Sequence, residues 1–254
     1  MRLVFSISLF TCLILSACTP SPKTTTDIVE QKNSGKEILD LAIAKHGGAR
    51  YDSAFYQFEF RGKTYTFHNQ GNNYTYTKTT LTDTDTIVDV LSNTDFKRSI
   101  NHIEVTVSDS EKTKYSESIN SVIYFATLPY KLNDPAVQST YAGEQTIKGK
   151  NYDMIRVTFS AENGGADFED AYQYWISKNN HTVDYLAYNY KVNGGGVRFR
   201  SAYNPRIIEG VYFQDYINFK APVGTPLDSL ALMYEQNRLE ELSRIETEKV
   251  LSLH

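Results

Sequence analysis

Cysteine is scarce in this chain of 254 residues: there are two, Cys12 and Cys18. That excludes a disulfide scaffold and a cysteine-rich metal site. A single tryptophan is present. An excess of one charge is lacking as well. The 26 Lys and Arg nearly offset the 30 Asp and Glu, for a formal charge of −4, so there is no electrostatic ground for nucleic-acid binding. His46, His68, His102 and His181 are scattered. They show neither the H-x-x-x-H nor the H-E-x-x-H spacing that gathers zinc ligands, and no G-x-S-x-G elbow occurs. No cofactor and no catalytic motif is read. What the chain has in quantity is aromatic side chains, 19 Tyr and 13 Phe. Hydrophobic residues make up 41% and charged residues 22%, a balance that supports a buried core rather than global disorder.

The first residues, Met1-Arg2, precede an apolar run from Leu3 to Leu15 and then Leu15-Ser16-Ala17-Cys18. The run is too short for a membrane span, which needs roughly 20 residues. A basic start, a short apolar segment and small residues before a cut site describe an export signal. The last four residues resemble the lipobox of bacterial lipoproteins, which implies a signal peptide over 1–17 and acylation of Cys18 as the mature N-terminus. Processing there removes Cys12, leaving no free thiol. Residues 18–33 are polar, with Pro20 and Pro22, and read as a flexible tether. Thr19 stands where sorting rules read an inner-membrane Asp, so the resemblance implies the outer membrane, on its periplasmic face.

The folded part is read as one domain over 34–254. Ser34-Gly35-Lys36-Glu37 fits a capping box opening a helix, and Gly47-Gly48 supplies its left-handed stop. From residue 54 the period becomes two. Tyr56, Phe58 and Phe60 alternate with polar residues, as do Tyr65 and Phe67, Tyr74 and Tyr76, and Ile103 to Val107. That pattern describes antiparallel strands with one buried and one wet face. Turn chemistry at 70–73, 148–151, 178–181 and 203–206 separates strand-like runs and predicts a meander. Residues 117–128 carry apolar positions at helical spacing, stopped by Pro129. They read as a helical insertion across the sheet, with a strand as the alternative. Thr225-Pro226-Leu227-Asp228 opens an expected C-terminal helix over about 227–245, with Glu240 and Arg244 as an i,i+4 pair. The fold class is mainly β (α+β): a curved antiparallel half-barrel with an N-terminal helix, a mid-chain helical insertion on its concave face and a C-terminal helix.

These motifs support a resemblance. Tyr124 to Tyr130, Leu132 to Val137, Gly164 to Asp167, Tyr174-Trp175, Asp184 to Tyr188 and Gly195 to Arg200 are similar to the DUF6503-type lipoproteins of Bacteroidota-like bacteria. That family implies no catalytic residue. Some members carry an aldolase name, but that activity needs a barrel and a Schiff-base lysine, and the pattern shows neither. In architecture the chain resembles the LolA/LolB-type lipoprotein carriers, which implies helices plugging the concave face of a curved sheet.

Tyr-rich strands supply the candidate site. Tyr172, Tyr174 and Trp175 lie on one strand-like run and Tyr185 and Tyr188 on the next. Tyr pairs an apolar body with a polar tip and suits a part-dry, part-wet lining; it also simply favours strands. Tyr124 and Phe125 of the insertion complete the expected lining. Arg198 and Arg200 share one face at period two, placed either to clamp an anionic head or to form cross-strand ion pairs with Asp184 or Asp215. The acidic loop Asn163 to Asp170 lacks calcium-loop spacing. The expectation is a monomeric, non-enzymatic lipoprotein holding an amphipathic, lipid-like ligand. The alternatives are an accessory lipoprotein docking an envelope protein complex, or a hydrolase whose site assembles only in space.

Overall fold

The computed structural model describes residues 25–160, 170–191 and 194–254. The expected signal peptide, Cys18, the loop from Asn163 to Glu169, and Asn193 lie outside the described residues.

The described chain opens with helix α1 (Thr25–His46) and a 3-10 turn (Gly48–Ser53). A meander follows: β1 (Phe55–Phe60), β2 (Lys63–Gln70), β3 (Asn73–Leu81), β4 (Thr86–Ser92), β5 (Phe96–Ile100) and β6 (Ile103–Val105). Helix α2 (Asp109–Ala126) crosses to a second meander of β7 (Val137–Ile147), β8 (Lys150–Phe159), β9 (Ala171–Ser177), β10 (Val183–Tyr190), β11 (Gly196–Ile208) and β12 (Val211–Ala221). A 3-10 turn (Leu227–Ser229) and helix α3 (Leu230–Glu235) lead to β13 (Glu240–Ile245) and β14 (Glu248–Ser252).

Two seven-stranded sheets result, in the orders β14-β1-β2-β3-β4-β5-β6 and β13-β12-β11-β10-β9-β8-β7. Every strand pairing within them is antiparallel. The mainly-β, curved and open architecture is thus present, built as two sheets rather than one. The chain passes from the second sheet to the first at Glu246-Thr247. The β11–β12 hairpin reaches across as well: Val211 and Phe213 enter the first sheet's core, and the Tyr56 hydroxyl donates to the Ile208 carbonyl at 3.2 Å.

Burial follows the alternation in the first sheet. Tyr56, Phe58, Tyr65, Phe67 and Tyr76 point inward and meet Ile119 and Ile123 of α2. In the second sheet both faces are covered. Leu39, Ala42 and Ile43 of α1 pack on Ile155, Val157, Tyr174 and Leu186. On the opposite face, Leu227, Leu230 and Ala231 cover Trp175, Tyr185 and Phe199.

Four local expectations differ from the structure. Helix α1 starts at Thr25, inside the expected tether, so Ser34 is no cap. Gly35 serves a different purpose there: a Cβ on it would stand 2.7 Å from the Tyr141 amide nitrogen, so only glycine lets the helix approach β7 this closely. Helix α2 begins at Asp109, not 117, because Ser108 and Glu111 form the real capping box. The 203–206 turn is a bulge inside β11. Asn204 takes a left-handed φ of 50°, and Pro205, which has no N–H to give, sits at the register shift. The hairpin actually turns at Glu209-Gly210. Finally, the C-terminal helix is only Leu230–Glu235, and residues 240–252 are edge strands. Arg244 therefore pairs with Glu241 at 3.2 Å instead of Glu240. The two sheets each gain a pairing partner from this tail, which outweighs its modest helix propensity.

Candidate functional site

Helix α2 lies across the concave side, as expected. Its first-turn cap is complete: the Ser108 hydroxyl accepts from the Glu111 amide at 3.4 Å, and the Glu111 carboxylate accepts from the Ser108 amide at 2.9 Å. Ile119 and Ile123 anchor it to the first sheet, while Tyr124 and Phe125 turn to the second. Beside the helix lies a cleft of about 370 Å³. Small-ligand pockets run from about 300 to 1,000 Å³, so this one sits at the lower end.

The cleft draws on every neighbouring element. Phe60 and Arg61 come from the end of β1, and Ser118, Ser121, Val122, Phe125 and Ala126 from α2. Tyr188, Arg200, Gln214, Tyr216 and Asn218 come from β10 to β12, and Ile245 and Thr247 close the far side. Ser118, Ser121 and Arg61 are exposed, so the cleft opens to solvent between α2 and the β1–β2 turn. A second pocket of about 200 Å³ adjoins it, lined by Glu117, Asn120, Ser121, Tyr124, Phe125, Phe159 and Tyr172. Ser121 and Phe125 line both, so the Phe125 ring divides the two spaces.

Period-two geometry sorts the expected lining residues. Tyr172, Tyr174, Tyr188, Arg198 and Arg200 share the face toward α1 and α2. Tyr172 and Tyr188 are cross-strand partners stacked at 5.4 Å, and Phe125 packs on Tyr188 at 5.6 Å. Tyr174 is buried beneath α1 and does not reach the cleft. Trp175 and Tyr185 occupy the opposite face, because their parity differs from that of Tyr174 and Tyr188. Trp175 is fully buried there and donates its indole N–H to Gln145 at 2.8 Å, and Tyr185 stacks on Phe199 at 5.6 Å. The expectation that these two line the concave face is corrected accordingly.

The two arginines part company. Arg198 donates to the Tyr190 hydroxyl at 2.6 Å and to the Val197 carbonyl at 3.1 Å, outside the cleft. Arg200 lines the cleft with only 6% of its surface exposed. Its Nη2 donates to the Tyr188 hydroxyl at 3.0 Å, and its guanidinium carbon lies 3.8 Å from the Phe125 ring centre. Its Nε and Nη1 are buried without a partner. The expected cross-strand ion pairs do not form. Asp184 accepts from Tyr152 and Thr182, and Asp215 is engaged by Arg206 at 3.0 Å.

Sequence reasoning missed the residues beside Arg200. Asn218 stands directly across from it in the β11–β12 ladder and is 7% exposed. Its Nδ2 donates to the Ser243 hydroxyl at 3.3 Å, and its Oδ1 is buried unpartnered. Burial pushes the Tyr216 hydroxyl up to about 12, against the lowering effects of the Gln214 amide at 2.6 Å and the Arg200 charge, so it is a neutral phenol. Among the described residues no group of three His, Cys, Asp or Glu stands close enough to hold a metal ion. No helix among them is long and apolar enough to cross a membrane.

This sequence matches the family described as "Family of unknown function (DUF6503)" over residues 8–247. The chain belongs to the DUF6503 family. No curated protein matches it. Among solved structures it is similar to a putative outer membrane lipoprotein-sorting protein domain from Vibrio parahaemolyticus, at 8% identity and a TM-score of 0.47, covering 87% of this chain and 93% of that one. A LolA superfamily protein from Nitrosomonas europaea matches at 10% identity and a TM-score of 0.46, over 75% and 87% of the two chains. A DUF1329 family protein from Desulfovibrio piger matches at 13% identity and a TM-score of 0.46, over 86% and 93%.

Proposed function

We propose that this DUF6503 member is a lipoprotein, anchored through an acylated Cys18 to the periplasmic face of the outer membrane, that holds an amphipathic, lipid-like ligand in the cleft under α2. One observation carries the reading: the buried cation of Arg200 faces a solvent-open cleft walled by Phe125, Tyr188 and Tyr216. Aromatic and aliphatic walls supply affinity by burying apolar surface, at about 25 cal/mol per Å², and the guanidinium orients the polar end. The cleft's volume limits the cargo to something small or to part of a larger lipid.

Two measurements test this. Lipid extracts of protein purified from membranes, read by mass spectrometry, are expected to contain a stoichiometric amphiphile, and amphiphiles are expected to raise the melting temperature. Protein that is empty and unmoved by any amphiphile removes the reading. For the anchor, Cys18→Ala is expected to release the protein from the membrane fraction.

A further inference from the structure

Arg200 contrasts with three cations of the described residues that each have a carboxylate partner. Lys78 and Arg98 share the Asp89 carboxylate at 2.8 and 2.6 Å, and Arg206 has Asp215. Arg200 is as deeply buried and has no carboxylate. A guanidinium does not escape burial by losing its proton, as a lysine or histidine does. Its charge is compensated only by the faces of Phe125 and Tyr188 and one phenol oxygen. Three of its five N–H donors, one on Nε and two on Nη1, meet no acceptor. A buried, uncompensated charge is costly to keep, and an incoming anion relieves that cost.

The surroundings agree in sign. The cleft is lined by two arginines, Arg61 and Arg200, and by no Asp or Glu. Asn218, opposite Arg200, adds a second unsatisfied group. Its amide can turn over on the Ser243 hydroxyl, which serves equally as donor or acceptor, and then presents N–H to the cleft. The adjoining pocket is walled by Tyr124, Phe159 and Tyr172 behind the Phe125 partition, with the exposed Glu117, Asn120 and Ser121 on its solvent side, so its one carboxylate faces water rather than the Arg200 end. At about 200 Å³ it holds roughly seven water volumes of ~30 Å³, the size of a short alkyl chain.

We infer that the ligand is a single-chain anionic amphiphile: a carboxylate or phosphate oxygen sits on Arg200 and Asn218, and the chain passes Phe125 into the Tyr124–Phe159–Tyr172 pocket. This rests on the carrier reading above and narrows it to one charge type and one chain. Arg200, not Arg198, sets the preference.

The test is titration calorimetry on the mature protein with decanoate, decyl phosphate, 1-decanol and decyltrimethylammonium, with acetate and inorganic phosphate as headgroups alone. Expected are at least tenfold tighter binding of the two anionic amphiphiles than of decanol, no measurable binding of the cation, and at least tenfold weaker binding of the bare anions. Arg200→Gln is expected to erase the preference for the anionic amphiphiles over decanol. Its ligand-free melting temperature is expected to be no lower than wild type, since an uncompensated charge is removed. Equal binding of anionic, neutral and cationic amphiphiles ends this inference and leaves the carrier reading in place. Bare anions binding as tightly as the amphiphiles also ends it, as does an Arg200→Gln protein that keeps the anion preference. Should Arg200→Gln fail to fold, the wild-type panel decides alone. Binding of none of the probes ends both readings.

Discussion

The Asp215 carboxylate of β12 accepts the backbone N–H of Thr247 at 2.9 Å, and so holds the point where the chain leaves one sheet for the other. Thr247 falls between β13, in the second sheet, and β14, in the first. The same carboxylate, 3% exposed, accepts from the Thr247 hydroxyl at 3.2 Å, from Arg206 at 3.0 Å and from Asn204 at 2.7 Å. Arg206 in turn donates to the Thr247 carbonyl. Thr247 also lines the cleft, so this clasp sets the spacing of the cleft's two walls.

Replacing Asp215 by Ala strips a half-buried Arg206 of its counter-charge and three further donors of their acceptor. Leaving a buried donor without its acceptor costs about 1–3 kcal/mol. Urea unfolding is expected to show a loss of that order, and a loss under about 1 kcal/mol would contradict the clasp. Arg206→Ala is expected to cost less, because Asp215 keeps the Thr247 and Asn204 donors.

Acid stability depends on His46. Burial, helped by the neighbouring Lys45 charge, lowers the imidazole to about 3, and its Nε2 accepts the Val183 N–H at 3.2 Å. In the unfolded chain it protonates near its ordinary value of 6.5. Between those values the unfolded state binds the extra proton, so stability rises with pH through the window and falls as the solution is acidified. The part due to His46 is on the order of 4 kcal/mol between pH 7 and pH 3. His46→Gln keeps an acceptor for Val183 without titrating. Urea midpoints measured across pH 3 to 7 are expected to be flatter for this variant, and an identical profile for both proteins would exclude a buried neutral imidazole.

Tryptophan fluorescence reports the outer face, not the cleft. Trp175 lies beneath α3 with Leu230, and both are fully buried. Emission is expected to be blue-shifted and unchanged when an amphiphile fills the cleft. Leu230→Ala is expected to cost about 2–5 kcal/mol in urea unfolding and to shift the emission to the red. Strong ligand-dependent quenching in the wild type would put Trp175 on the wrong face.

At Gly35 two effects of known size compete. Alanine gains up to about 1 kcal/mol of helix propensity over glycine. Its Cβ, however, meets backbone atoms of Thr140 and Tyr141 at 2.9 and 2.7 Å, and those cannot move aside cheaply. Overpacking of this kind costs about 1–3 kcal/mol, so Gly35→Ala is expected to destabilise in thermal melts. A stabilised variant would show that α1 does not press on β7.

The first sheet was readable in the sequence because one of its faces is wet, which leaves Tyr56, Phe58, Tyr65 and Phe67 alternating with polar neighbours. Strands β9 and β10 are buried on both faces, which erases the polar beat. Their facing was still encoded in parity, since Trp175 and Tyr174 cannot point the same way. Arg200 was recognisable as a candidate, but its partner was not. Asn218 comes opposite only when β11 and β12 are counted outward from Glu209-Gly210, through the bulge at Asn204-Pro205. Placing the turn at 203–206 hides that pairing. Residues 240–245 read as helix because Glu, Leu and Arg favour helices, and the pull of an open sheet edge is a tertiary effect that no local window contains.

Helix α1 begins at Thr25, only seven peptide units after Cys18. Fully stretched, those units reach about 25 Å. With Cys18 acylated as proposed, that reach would keep the body beside its own bilayer, and the proposed carrier would take its ligand from that leaflet or from whatever comes to it, rather than ferry it across the periplasm.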